Sequence, residues 1–257
     1  MIRNFLTGVL VLAAAVSGLM AQKAKSSAEA AAVKALLAAS GQSPDVIIKA
    51  AEDLLSQYAD TEFKDLALLM EAEAYKQKGD YASSEITDQR ALEAYPKNPQ
   101  AGMQLGELIM QHVGENDLDK EEKLAKAEKL FNEAIQNIDT KPFVAMPDAK
   151  WEENKKFTKA QLENDLGLLA MRRKKLDDAI ADFKLAIESD QQPAYQVRLA
   201  VAYQQSGKND EALAICDKLI ADPQTHPTIK GLAQNVKKAA TAAMAKPAAA
   251  GSSPAAK

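Results

Sequence analysis

The chain has 257 residues, 32 of them basic and 36 acidic, for a formal net charge of −4. An acidic balance makes nucleic acid an unexpected partner. The single cysteine, Cys216, excludes an intrachain disulfide, so any fold is held by packing alone.

The first element reads as an export signal. Met1-Ile2-Arg3-Asn4 is a basic start, an apolar run extends from Phe5 to Val16, and Ser17 and Gly18 lead to Leu19-Met20-Ala21. From Phe5 to Ala21 the segment is short for a bilayer span, which needs about 20 residues. The expectation is cleavage after Ala21 and a periplasmic or secreted product. The alternative is an uncleaved N-terminal anchor, the only route to the membrane that the sequence offers. Residues 22–64 follow as a helical pair, Ser27 to Ala39 and Asp45 to Tyr58. They are split by Gly41-Gln42-Ser43-Pro44, with Pro44 at a favoured first-turn position.

Beyond residue 65 one spacing recurs four times. A small residue, a bulkier one and another small or aliphatic one stand at i, i+4 and i+7, which lie on one helical face. The sets are Ser84/Asp88/Ala91, Ala127/Phe131/Ala134, Ala179/Phe183/Ala186 and Ala212/Cys216/Leu219. Ahead of them stand Ala72 and Tyr75, Leu105-Gly106, Leu166-Gly167, and Leu199-Ala200 with Tyr203. Gly79-Asp80-Tyr81 and Gly207-Lys208-Asn209 read as reversals between two helices, since Gly accepts the left-handed cap geometry. The third reversal, Arg172-Arg173-Lys174-Lys175, has no Gly, which makes its hairpin the weakest of the set. Pro96 and Pro223 close second helices.

This pattern resembles the tetratricopeptide repeat, a helix-turn-helix of about 34 residues. Asp88 and Cys216 replace the aromatic, and no Trp occupies the first-helix signature, so the repeats are degenerate. The resemblance implies an all-α, right-handed α-solenoid with repeats at about 65–98, 99–141, 160–192 and 193–226. A capping helix over 227–240 would cover the last apolar face. The Ala/Pro-rich residues 241–257 are expected to be disordered. Two segments exceed the repeat: an enlarged turn from His112 to Lys120, and an insertion over 139–159 with Phe143, Met146, Trp151 and Phe157.

Signs of chemistry are few. His112 and His226 lack a partner at metal-ligand spacing, and no Walker loop, nucleophile elbow or dinucleotide fingerprint occurs. The acidic run Glu115 to Glu122 lacks the Gly and terminal Glu of a calcium loop. No catalytic, cofactor or metal residue is therefore assigned, and the chain reads as no enzyme. Cys216 reads as a small buried hydrophobe.

By the resemblance, partners lie along the first helices. The groove positions are Leu66, Leu69 and Glu73; Met103, Glu107 and Met110; Asn164, Leu168 and Met171; and Val197, Val201 and Gln204. The Lys and Asn with which some members grip a terminal carboxylate are absent: those places hold Leu69/Glu73, Met103/Glu107, Asn164/Leu168 and Val197/Val201. The implied function is a non-catalytic protein-binding scaffold of the cell envelope, holding an apolar or basic peptide or helix on an exposed strip that includes Leu69, Met103, Met110 and Leu168. The alternatives are an enzyme or enzyme accessory with its site in the 139–159 insertion, and a structural subunit of an envelope complex. Partner identity and oligomeric state are not written in the sequence.

Overall fold

The computed structural model describes residues 24–140 and 148–245. The expected signal over 1–21, the tail beyond 245, and Phe143 and Met146 of the insertion lie outside the described residues. The chain forms two compact units, residues 1–158 and 159–257.

In the first unit the described helices are α1 (Ser27–Ala39), α2 (Pro44–Gln57), α3 (Lys64–Lys78), α4 (Tyr81–Ala94), α5 (Pro99–His112) and α6 (Lys120–Gln136). Each packs on its neighbour in sequence, as in repeat solenoids. Pro44 and Pro99 open α2 and α5, where their missing N–H costs nothing. Asn98 caps α5 by accepting from the Gln100 and Ala101 amides, and its Nδ2 donates to Asp65 of α3 at 2.7 Å. That one side chain thus starts the second repeat and ties it to the first. The turn between α5 and α6 spans residues 113–119. Its carboxylates are spent locally: Asp117 accepts from the Gly114 amide, and Glu115 pairs with Lys120 at 2.6 Å.

Helix α7 (Asp148–Arg172) carries residues of both units. Its start lies within the 139–159 insertion expected between the second and third repeats. From Asp148 onward these residues are helix, an N-terminal extension of the third repeat's first helix, with Trp151 buried on it. In the second unit α8 (Leu176–Ser189), α9 (Pro193–Gln205), α10 (Asn209–Ala221) and α11 (Pro227–Ala245) follow, again packed in sequence, and α9 also touches α11. Helix α11 runs five residues into the stretch read as a disordered tail. Cys216 is fully buried among Val197, Ala200, Leu219 and Ala233, and burial pushes its thiol pKa up.

The Leu-Gly signature has a steric origin. A Cβ placed on Gly106 would stand 2.5 Å from the Phe131 ring, and one on Gly167 would stand 2.6 Å from the Phe183 ring. Ring and backbone can share that space only when the first-helix residue is glycine. Where the same first-helix position carries a Cβ, at Ala72 and Ala200, the second-helix residue is smaller, Asp88 and Cys216. The degenerate positions therefore change as pairs.

The reversals are built alike. Gly79 and Gly207 have φ of 78° and 80°, and at the glycine-free third reversal Lys174 takes φ of 59°. In all three the left-handed residue and its successor donate to the carbonyls that end the helix: Gly79 to Lys76 and Asp80 to Tyr75, Lys174 to Met171 and Lys175 to Ala170, Gly207 to Gln204 and Lys208 to Tyr203. The third hairpin thus forms without glycine, at the cost of a left-handed lysine. Lys174→Gly is expected to raise stability by about 1 kcal/mol in urea melts.

Candidate functional site

In the first unit, the first helices of two successive repeats meet through one cation. Lys76 Nζ lies 3.7 Å from Glu73 on its own helix α3 and 3.6 Å from Glu107 on α5. All three side chains are about three-quarters covered. Gln77 also donates to Glu73 at 3.2 Å.

Behind this cluster sits Asp88 of α4. Its residue is 2% exposed, its Oδ1 has no hydrogen-bond partner, and the same holds for Ser84 Oγ one turn earlier. Gln104 Oε1 on α5 is a third buried acceptor without a partner. Burial pushes the Asp88 pKa up to about 8; Lys76 opposes the shift, while Glu73, Glu107 and Glu85 add to it. A carboxyl held neutral in this way carries a signed pH dependence. Between the ordinary value of 3.8 and about 8 the folded chain binds one more proton than the unfolded chain, so stability falls as pH rises through that window. From pH 6 to pH 9 this group should remove roughly 2–3 kcal/mol. Urea melts should show that loss in the wild type and its disappearance in Asp88→Asn.

The apolar strip expected of the groove is interrupted. Met103 and Met110 in the first unit are 1% and 7% exposed, and Val197 in the second is buried with Cys216. These are core residues: α5 is buried along most of its length, from Ala101 to Met110, with Glu107 the partly exposed exception. Leu66 and Leu69 are partly exposed, and Leu69 packs on the core of Leu68, Ala91 and Ala101. In the second unit Leu168 and Met171 lie against the cluster around Phe183. Val201 and Gln204 are partly exposed.

Asn164 is not a groove-lining side chain either. It is 4% exposed, donates to Asp165 at 3.0 Å and accepts from Arg198 of α9. Arg198 and Asn164 thus join the first helices of the third and fourth repeats, as Lys76 joins those of the first two. The candidate residues that the sequence reading did not single out are Asp88 and Arg198; Lys76 already fell on the same first-helix face as Glu73. Only Asp88 carried a sequence signal, a carboxylate where the repeat has an aromatic ring.

The two histidines have local tasks. His112 lies against Tyr81 with ring centroids 3.8 Å apart, and His226 Nδ1 accepts the Thr228 amide at the start of α11.

A solved thermophilic TPR protein of Thermus thermophilus superposes with a TM-score of 0.56 at 19% identity, covering 80% of this chain and 95% of its own. The fold is that of tetratricopeptide repeats. BtubC from P. vanneervenii superposes at TM-score 0.58 and 16% identity, over 98% of both chains. The RS-1 MamA ArsTM double mutant superposes at 0.57 and 12% identity, over 84% of this chain and 99% of its own. No family model matches the sequence, and no curated protein matches it.

Proposed function

We propose that this tetratricopeptide-repeat chain is a non-catalytic scaffold that holds protein partners on the outer faces of its first helices. The observation that carries the reading is the convergence of polar side chains from successive first helices, Glu73 and Lys76 with Glu107. Groups fixed on packed helices present donors and acceptors at constant spacing, which is what recognition of another chain needs. The apolar partner expected from the sequence loses support because Met103, Met110 and Val197 belong to the core. The charged and amide groups at Glu73, Lys76, Gln77 and Glu107 suit a peptide held by charge and hydrogen bonds.

The Arg3 start and the apolar run to Val16 support export of this scaffold. One experiment tests location and role together. The natively expressed chain, tagged at its C-terminus, is recovered from separated cytoplasmic and envelope or secreted fractions, and its N-terminus and cross-linked partners are determined. Export predicts a first residue near Gln22 outside the cytoplasm, and the scaffold reading predicts stoichiometric protein partners that are lost in a Glu73→Gln/Glu107→Gln variant. An intact Met1 on cytoplasmic material would overturn export. Partner capture unchanged by the variant would move the surface elsewhere.

A further inference from the structure

Three carboxyls, those of Glu73, Glu107 and Asp88, gather around Lys76. Its Nζ stands at 3.6 and 3.7 Å from the two glutamates, well beyond the 2.7–2.9 Å of a good charge-assisted bond. An acidic cluster can be only a solvated face, but here a second observation stands behind it. Asp88 is buried, makes no hydrogen bond through Oδ1, and feels Lys76, Glu73 and Glu107 electrostatically. An unsatisfied buried acceptor costs about 1–3 kcal/mol, so leaving Asp88 Oδ1 and Ser84 Oγ unmatched calls for a reason. Among the described residues no group of three or more His, Cys, Asp and Glu could hold a metal ion. The three carboxyls come from three helices, α3, α4 and α5.

The geometry points to a binding site for a cationic side chain, an ammonium or guanidinium carried by a partner peptide, at the mouth formed by Glu73 and Glu107 over Asp88. This rests on the scaffold reading and names the chemistry of its partner. The guest enters where the Glu73, Lys76 and Glu107 side chains are each about a quarter exposed. It pairs with the glutamates, and Lys76 swings out. A guanidinium has five donors for such a set, and a lysine ammonium three. The groups facing Asp88 are Glu73 and Lys76 from α3, Glu85 from its own helix and Glu107 from α5. Because a cation arriving among them favours the ionised form of Asp88, guest binding is coupled to release of its proton.

The test is a random dodecapeptide phage library panned on the full chain at pH 8.5. The tightest selected peptide is then measured against the wild type, Glu73→Gln/Glu107→Gln, and the charge-matched control Glu93→Gln/Glu153→Gln. The expected winners share a Lys or Arg at one place. Affinity should fall at least 10-fold in the site variant and less than 2-fold in the control. Replacing the peptide's basic residue by Ala should cost the wild type the same factor and the site variant almost nothing. Between pH 7 and pH 9 wild-type affinity should rise about 10-fold as Asp88 ionises, with a flat profile in Asp88→Asn. Circular dichroism checks that each variant is folded, and Glu73→Asp/Glu107→Asp should retain part of the affinity. No selected peptide, equal losses in site and control variants, or a flat wild-type pH profile would overturn the site. Winners without a shared basic residue would overturn it too, yet leave the scaffold reading standing.

Discussion

Met103→Glu is expected to unfold the chain at neutral pH. Met103 is 1% exposed on α5, and a carboxylate forced into that position has no partner and no water. An unpaired buried charge costs several kcal/mol, on the order of the whole stability of a domain. Far-UV circular dichroism should show lost helicity and no cooperative melt for this variant. Met103→Leu conserves volume and should cost under about 1.5 kcal/mol. Leu168→Glu differs in kind, since Leu168 is partly exposed beside the Phe183 cluster, and a shift of a few degrees in Tm is expected. A well-folded Met103→Glu variant would mean that α5 turns Met103 outward, as the sequence reading of the groove had it.

Truncating the two interhelical rings should have the next largest effect. Phe131 and Phe183 are fully buried, one in each unit, and Phe→Ala at such sites costs about 3–5 kcal/mol in lost transfer energy and residual cavity. Urea melts followed in both units should show the loss. The packing against glycine adds a sharper check. Gly106→Ala in the wild type sets a Cβ against the Phe131 ring at 2.5 Å and should destabilise. In a Phe131→Ala background the same Cβ enters the vacated space. The two substitutions should therefore be non-additive by at least about 1 kcal/mol, the signature of groups in direct contact. Additive losses would place ring and glycine apart.

The helices, their order and the small/bulky spacing of the second helices were legible in the sequence. They rest on local causes: helical spacing, proline at α2 and α5 starts, and glycine at two left-handed reversals. The third reversal was less legible because Lys174 adopts a left-handed conformation that its type disfavours. The start of α7 at Asp148 was not legible, because the segment was read by its excess over the repeat length and not by its own helical run.

What the sequence by itself determined is that the chain folds as repeated helical hairpins. Periodicity reports which residues share a helical face, and a shared face is a property of one helix. Which face meets another helix is decided by helices brought together from elsewhere in the chain. Tertiary packing alone turned Met103, Met110 and Val197 inward, set Asn164 against Arg198, and placed Asp88 behind Glu73, Lys76 and Glu107. The raised pKa of Asp88 belongs to that level too, because burial and neighbouring charge exist only once three helices have closed around the side chain.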